Sequence, residues 1–363
     1  MEEERREDYE IDEVANTQMV KCSSCGANMR FDPESQMLSC DHCGRKESVA
    51  NTVSASELSL FSDITTTGAE LEQSSVFTCD NCGAKVVLSA TETATSCPFC
   101  GTPHVRKTEE LSGLKPNAVL PFLFDQNKAL EYSKAWAKKK AYAPRDFKKS
   151  LRPEGIKGIY TPCFTFDSTT TSTYYGRIGK RYTRVVGSGK NRRTETYIVW
   201  RNISGTYHDS FNDVLISAGE KIDQKKINKL SPYETENARE YDEKFILGYM
   251  SYRYDREIKD CWDDAKDLID RVIRRGILNQ YIYDVVDYLN VSTEHTGVTY
   301  KYVMLPVYVG NFKYKKKIFN FYVNGTTGKV HGKTPVSALK VLLTIFGGLG
   351  LIALIGLLIY FFG

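Results

Sequence analysis

The sequence has few of the features that catalysis or export requires. Only five of its 363 residues are histidine, and they lie in no recognised motif. It contains neither a phosphate-binding glycine loop nor the Gly-x-Ser-x-Gly turn of a serine nucleophile. Residues 1–18 are acidic and lack the apolar stretch of a secretory signal. We therefore predict no catalytic residues and no export, with an enzyme site in the body of the chain as an alternative.

Long hydrophobic runs are also absent, with one exception. The mean hydropathy is −0.38, yet the 22 residues from Val341 to Phe362 carry no charge. At about 1.5 Å per residue, a helix of this length crosses a hydrocarbon core of about 30 Å. We predict one transmembrane helix over 338–362. Because only Gly363 follows it, we expect a tail anchor.

The charges beside this run predict its orientation. Lys329, Lys333 and Lys340 precede it, and no basic residue follows it. Because positively charged flanks stay in the cytoplasm, we expect a single-pass protein of the cell membrane whose N-terminus and body are cytoplasmic. Small residues recur every three positions in the run and could pack against a second helix, which leaves an oligomer open. They are Gly347, Gly350, Ala353 and Gly356.

Eight of the ten cysteines form an internal repeat. Each copy has two Cys-x-x-Cys-Gly pairs separated by fourteen residues. Four thiolates suit tetrahedral zinc, and glycine after each pair permits the left-handed backbone that a tight turn around the metal requires. We predict two zinc ribbons, at 19–47 and 76–105, each with one structural Zn²⁺. The expected ligands are Cys22, Cys25, Cys40 and Cys43 in the first, and Cys79, Cys82, Cys97 and Cys100 in the second.

Other interpretations of these cysteines are a disulfide scaffold and a redox-active pair. Disulfides need an oxidising compartment, which the predicted lack of export argues against. A redox motif does not need two pairs at matched spacing. His42 and His104 lie beside predicted ligands, and either could replace a cysteine as a metal ligand. Cys163 and Cys261 lie in apolar stretches, so we predict buried small side chains there and not nucleophiles.

The rest of the chain predicts a mixed α+β body at 117–335. Residues 1–18 have the composition of an acidic disordered tail. Linkers are expected at 48–75, which is rich in Ser, Thr and Glu, and at 106–116. The predicted fold class is therefore α+β, with two small N-terminal zinc ribbons, a mixed cytoplasmic body and one C-terminal transmembrane helix.

Two helices of the body are predicted from local patterns. Asp125 is a suitable N-cap for a helix that runs to about Lys140. An apolar stripe at helical spacing predicts a second helix from Arg256 to Arg275. Gly276 follows where a C-terminal cap is expected.

The strands of the body are predicted from apolar and alternating runs. Three apolar runs, at 118–124, 159–166 and 302–309, each contain a proline. Because proline cannot donate a ladder hydrogen bond, we expect edge or bulged strands there. Residues 169–200 alternate as antiparallel strands do, and the glycines of 187–190 indicate the turn between two of them.

Charge is distributed unevenly along the chain. Residues 1–18 carry a net charge of −6, residues 19–105 carry −5, and the remainder carries +15. Nucleic-acid binding needs Lys and Arg against phosphates, so the acidic ribbons are better suited to a basic protein surface. The basic clusters of the body favour anionic lipid or an acidic helix of another protein, although a solvated sheet face would look alike. These clusters lie at 138–140, 145–149, 177–193 and 313–317.

The ordered combination of ribbons, body and final helix resembles the bacterial tail-anchored double-zinc-ribbon proteins of the YdjG type, described as TFIIB-type zinc ribbon-containing proteins. Besides the paired ribbons, the resemblance rests on the stretch YVMLPVY at 302–308, on VNGTTGKV at 323–330, and on the final helix after Pro335. It implies a non-enzymatic membrane adaptor. The partners it implies are a flotillin-like SPFH protein and, through that protein, a phage-shock-protein-A homologue that acts in envelope stress. The alternative is a membrane-tethered nucleic-acid-binding or regulatory protein.

Overall fold

The computed structural model describes residues 20–49, 53–61, 71–87, 97–102, 105–152, 155–314 and 317–362. The predicted tail at 1–18 lies outside these ranges. The described strands are β1 (Met29–Asp32), β2 (Met37–Cys40), β3 (Lys46–Ser48), β4 (Leu58–Ser59), β5 (Leu71–Cys79), β6 (Lys85–Val87), β7 (Val105–Leu114), β8 (Ala118–Val119), β9 (Ile156–Val186), β10 (Arg193–Ser217), β11 (Arg239–Glu240), β12 (Met250–Tyr252), β13 (Val285–Tyr314), β14 (Lys317–Asn324) and β15 (Val330–Gly332). The α-helices are α1 (Gln126–Lys138), α2 (Arg145–Ser150), α3 (Gln224–Leu230), α4 (Ile258–Asn279) and α5 (Ala338–Phe362). The fold class is α+β, as predicted.

Three long antiparallel strands form the centre of the body. The 31-residue strand β9 pairs with β13 along one side and with β10 along most of the other. At about 3.3 Å per residue, β9 contains about 100 Å of extended chain. The sequence predicted separate strands at 159–166 and 169–200. The structure joins the first run to the start of the second and turns at 187–190, as expected.

One face of this sheet is covered by the helix α4. Every second residue of the middle of β9, including Tyr174 and Ile178, is buried against the side of the sheet that α4 covers, and the residues between them are exposed. On α4, Ile269, Ile273 and Ile277 recur at helical spacing and are buried. Alternation at period 2 on the strand and at period 3.6 on the helix thus produces one shared apolar layer.

The prolines of β9 and β13 lie in paired central strands, so the prediction of edge or bulged strands was wrong for both. At Pro162 the neighbour of β9 changes from β12 to β10, and at Pro306 the neighbour of β13 changes from β8 to β14. The carbonyl of Pro162 accepts from Ala218 N at 3.1 Å, and that of Pro306 accepts from Gly325 N at 2.9 Å. Both prolines therefore face a gap between neighbours, where no ladder needs their missing N–H.

The helix predictions are confirmed except at one end. Asp125 caps α1, and its carboxylate accepts from Lys128 N at 2.8 Å. The helix α4 does not end at Gly276 but continues to Asn279. A Cβ at Gly276 would overlap the hydroxyl of Tyr207, so the glycine here permits a close approach between helix and strand and does not cap the helix.

The two predicted linkers contain strands of the sheet. The stretch 106–116 carries most of β7, which pairs with β5 from Cys79↔Val105 to Leu71↔Leu114. Within 48–75, β4 pairs with β13 through Thr299↔Ser59. These pairings join residues that are far apart in the sequence, so the local composition did not indicate them.

A buried lysine ties the predicted linker at 48–75 to the body. Lys301 is 7% exposed, and its Nζ lies 2.6 Å from Glu57 Oε1 and 2.7 Å from Asp213 Oδ1. Burial alone would lower the pKa of Lys301, but the bonds to Asp213 and Glu57 outweigh it and raise the pKa. The charge of Lys301 is thus held by partners from two distant segments.

We expect Gly310→Ala to destabilise the body by about 1–3 kcal/mol, the usual cost of overpacking. A Cβ at Gly310 would overlap the ring of Phe321, the residue paired with it on β14, and that ring is buried. The measurement is the urea midpoint of the full chain in detergent. Gly155→Ala is the control, because its Cβ would meet only Asn311 O at 3.7 Å. Equal midpoints for both variants would contradict the packing.

Candidate metal centres

The first ribbon brings its four predicted ligands together. Cys22 and Cys25 lie on the turn before β1, and Cys40 and Cys43 lie at the end of β2 and on the turn after it. The Sγ atoms of Cys22 and Cys43 are 3.5 Å apart, as are those of Cys25 and Cys40. All four sulfurs lie within 4.8 Å of one another.

The second ribbon repeats this arrangement. The Sγ atoms of Cys79 and Cys100 are 3.6 Å apart, and those of Cys82 and Cys97 are 3.7 Å apart. A tetrahedral ion with metal–sulfur bonds of about 2.3 Å, the zinc value, separates its sulfur ligands by about 3.8 Å. All the cysteines are free thiols. Both four-cysteine groups therefore fit a metal ion.

Glycine closes each of the four cysteine turns. The glycine after each pair has a positive φ, and its N–H donates to the carbonyl of the first cysteine of that pair at 2.8–2.9 Å. Other residues rarely adopt this left-handed conformation. The sequence signal that predicted the turns is thus reproduced in the backbone. The glycines are Gly26, Gly44, Gly83 and Gly101.

The thiols of one cluster differ in acidity. Backbone N–H groups of Ser24 and Cys25 lower the pKa of Cys22 to about 7. The Ala27 N–H favours the thiolate of Cys25, but desolvation and the neighbouring Cys40 and Cys43 raise its pKa to about 12. Crowded sulfurs cannot all ionise together because like charges repel. A metal ion would remove this repulsion, and binding would displace protons.

Each cluster is held firmly against the body. Phe31 of the first ribbon donates its N–H to Leu247 O at 3.0 Å, and its ring meets Phe245 with centroids 5.4 Å apart. In the second ribbon, Phe99 meets Tyr252 edge to face at 5.5 Å. The ribbons are therefore packed parts of the molecule, and metal binding would stabilise their contacts with the sheet.

The other predicted candidates lie outside these clusters. His42 is exposed and is not part of the first four-cysteine group, and His104 lies outside the described residues. Cys163 and Cys261 are buried, as predicted. Burial raises the pKa of Cys261 to about 12 and raises that of Cys163 further still. Neither is therefore a reactive thiolate at neutral pH.

Sequence reasoning missed a third group of ligand-type side chains. Carboxylate oxygens of Glu57, Asp167 and Asp213 lie within 4.8 Å of one another. The ammonium of Lys301 binds two of these carboxylates and supplies the positive charge that a metal ion would bring. The three acids come from separate segments, so no local motif could have revealed them.

Beside the contacts of the first ribbon with the body, a cleft of about 760 Å³ is lined by residues of both. Two of the carboxylates that line it have structural partners. Asp32 accepts from Ser35 Oγ at 2.6 Å and lies 2.9 Å from Lys46 Nζ, while Asp125 caps α1. Burial opposes ionisation of Asp32, but Ser35 and Lys46 hold its pKa below the usual value.

The helix α5 is long and apolar enough to cross a membrane. Its candidate span of 24 residues, Ala338–Phe361, has a mean hydropathy of 2.6, and none of its most apolar window is buried by the described part of the chain. Such a surface would be costly in water.

The fold and the sites define a class, an α+β protein with two four-cysteine groups that can hold a metal ion and a C-terminal helix able to span a membrane. The chain is 30% identical over 323 residues to a protein of Bacillus subtilis (strain 168), covering 88% of this chain and 91% of that protein. That relative is described as "Uncharacterized protein YdjG", and the chain belongs to the YdjG family. No protein-family model matches the sequence. No solved structure matches it either.

We expect the purified chain to contain two metal ions, one per cysteine cluster. Cys40→Ser and Cys97→Ser should each lower the metal content by about one ion, because a closed four-thiolate site needs all its ligands. Elemental analysis of protein purified without a metal-affinity tag is the measurement. Cys261→Ala is the control and should keep both ions. A wild-type chain without metal would contradict the assignment.

Metal affinity should fall as the pH is lowered. The bound form carries thiolates, whereas the free clusters hold protons, notably on Cys25 with its pKa of about 12. Binding therefore releases protons, and acid favours the free form. Competition with a chromogenic chelator at pH 8 and pH 6 measures the change. Equal affinity at both pH values would contradict thiolate ligation.

Proposed function

We propose that the protein is a membrane-anchored zinc-ribbon adaptor that docks cytoplasmic proteins at the membrane. The observation that carries the proposal is the position of the two ends of the strand β9. The apolar helix α5 leaves the body beside the start of β9, and about 100 Å of extended chain separates that start from the opposite end of this 31-residue strand. One end is suited to lipid, and the other is available to partners.

The first contacts of α5 fix it to the body. Ser337 N donates to Tyr142 O at 2.9 Å, and Lys340 Nζ donates to Ala143 O at 2.6 Å. Shortly after Ala143 in the sequence, Phe147 on α2 meets Phe312 on β13, with ring centroids 5.1 Å apart. Because the end of β13 pairs with the start of β9, the base of the central sheet lies close to the start of α5.

A basic surface lies beside this point, and we call it the collar. Its members are the exposed side chains of Lys138, Lys139, Lys140 and Arg145. Tyr142 lies among them and is 44% exposed. Basic side chains near an anionic leaflet contribute about 1 kcal/mol each, and tyrosine is favoured at the interface. The collar thus supports a body that rests on an anionic membrane surface.

The metal in both clusters is proposed to be zinc with a structural role. Four thiolates leave no open coordination position for a substrate. Eight free thiols suit a reducing compartment, and the lysines before α5 favour the same, cytoplasmic side. The proposed topology is therefore a single-pass tail anchor with the body in the cytoplasm. The proposed partners, from the family resemblance, are a flotillin-like SPFH protein and a phage-shock-protein-A homologue.

The adaptor role is tested by pull-down from native membranes. Full-length wild type should recover cytoplasmic partners, and Cys79→Ser should recover fewer because the second ribbon loses its metal. Cys261→Ala serves as the control. Equal recovery by Cys79→Ser and wild type would show that the second ribbon takes no part in partner binding. Degradation of the body by protease added outside intact cells would overturn the topology.

We expect the collar to sense lipid charge. Trp136 reports on the collar because its ring centroid lies 5.2 Å from Lys140 Nζ. In nanodiscs with anionic lipid, the Lys138→Glu/Lys139→Glu variant should show less quenching of Trp136 by headgroup-labelled lipid. The other two tryptophans are replaced by phenylalanine for this measurement. Lys180→Glu/Arg181→Glu, at the far end of β9, is the control. Identical quenching in the two charge variants would contradict a role for the collar.

A second candidate function is nucleic-acid binding by a membrane-tethered protein. It is favoured by the basic and aromatic surface at the far end of β9, where Tyr182 and Tyr197 lie with Arg184. Full-length protein in detergent should then shift DNA or RNA with an affinity that falls steeply with salt. The absence of any shift at low salt would exclude this candidate.

A further inference from the structure

The strands β9 and β10 extend beyond the rest of the sheet as a two-stranded arm. Pairing of β13 with β9 begins at Val285↔Gly179, so β9 beyond Gly179 has β10 as its described strand neighbour. We call residues 177–201 the arm; at its root, Arg177, Ile178 and Gly179 still pair with β13. An isolated two-stranded hairpin is marginally stable in water, so an exposed arm of this length favours a bound partner.

The arm is strongly basic and partly apolar. Residues 177–201 contain eight Lys or Arg and one acidic residue, Glu195. Apolar side chains on both faces are open to solvent, with Val185 53% and Val199 50% exposed. Arg184 and Arg193 both lie close to Glu195, and Arg177 lies 3.6 Å from Asp287 of β13. Because these pairs involve three of the eight basic residues, the arm keeps a positive excess. A ligand that fits it carries negative charge and alternating apolar groups.

The outer edge of β10 is open along the arm. Among the described strands, β10 pairs with β9 alone. Close to the body this edge is blocked, because the ladder is interrupted between Phe211 and Val214 and because Gln224 binds Ser217 N and Leu215 O. From Arg193 to Ser210 the register with β9 is uninterrupted. Every second residue of such an edge directs its N–H and C=O outward, ready to pair with another strand.

The aromatic rings of the arm are already engaged within it. Tyr182 and Tyr197 stack on each other with centroids 5.9 Å apart, and Arg184 lies 5.6 Å from the Tyr197 centroid. Arg177 covers Trp200 at 5.1 Å. Binding of single-stranded nucleic acid relies on aromatic faces that are free to stack on bases. Tyr182 and Tyr197 are each 43% exposed, but the contacts of their rings within the arm and the exposed aliphatic side chains favour a protein ligand.

The arm is also far from the proposed membrane surface. The base of β9 lies beside the start of α5, and about 100 Å of extended chain separates it from the turn at 187–190. The basic residues of the arm and those of the collar therefore lie at opposite ends of the sheet. A lipid ligand suits the collar, and the arm suits a ligand in solution.

We propose that the arm binds an extended acidic segment of a partner protein, which pairs with the open edge of β10 as an additional strand. Backbone hydrogen bonds along Arg193–Arg201, the part of β10 that lies in the arm, would supply affinity. Carboxylates of the segment would meet the arginines of the arm. This inference rests on the adaptor role proposed above and names the chemistry of its docking site.

The test uses full-length protein in nanodiscs of neutral lipid and two twelve-residue peptides of equal charge. One repeats Glu-Val-Glu-Thr and can form a strand, and the other replaces Val and Thr by Pro and cannot. We expect the strand-forming peptide to bind at least about ten-fold more tightly, because proline lacks the N–H that pairing needs. Hydrogen exchange should slow in β10 and remain unchanged in β13.

Charge variants separate the arm from the collar. Arg193→Glu/Arg201→Glu should weaken binding of the strand-forming peptide by about ten-fold or more. Lys138→Glu/Lys139→Glu, with the same change of charge in the collar, should leave it unchanged. Circular dichroism establishes that both variants are folded. Equal affinity for the two peptides, or equal loss in both variants, would overturn the proposal.

Two further outcomes are decisive. Binding of duplex DNA that competes with the peptide and exceeds it in affinity would assign the arm to nucleic acid and overturn the proposal. Flotation of the same protein variants with vesicles tests the membrane anchor separately. A chain that floats without binding the peptide would refute the arm alone, and a chain that fails to float would refute the adaptor role.

Discussion

The backbone ladder of β9 is the interaction on which the rest of the structure depends. One strand of 31 residues carries β13 on one side and β12 and then β10 on the other. The helix α4 is placed by the face of this sheet, and the second ribbon joins it through β6 and β12. A break in the ladder would therefore separate the second cysteine cluster, the helix α5 and the arm from one another.

The sequence predicted the local chemistry of this protein better than its long-range pairing. The cysteine clusters, the cap at Asp125 and the turn at 187–190 depend on neighbouring residues, and each recurs in the structure. The strand β7 was interpreted as a linker because its partner β5 lies far back along the chain. Pairing at that distance leaves no periodic signal in either segment alone.

Residues with two structural uses account for the remaining errors. Glycine can end a helix or admit a close neighbour, and Gly276 does the second beside Tyr207. Proline can mark an edge or a change of neighbour, and Pro162 and Pro306 do the second. Lys301 and its carboxylates come from separate segments, so the sequence showed charges without their pairing. Tertiary contacts decide between such uses, and a single sequence does not contain them.

The open edge of β10 has a consequence for how much of this protein a cell can tolerate. Unpaired strand edges adhere to one another, and soluble proteins usually shorten or cover them. This edge is long, and its aliphatic side chains are exposed. Copies whose edge stays uncovered would adhere to one another through β10. The amount of protein that stays unassociated therefore depends on how much of this edge is covered.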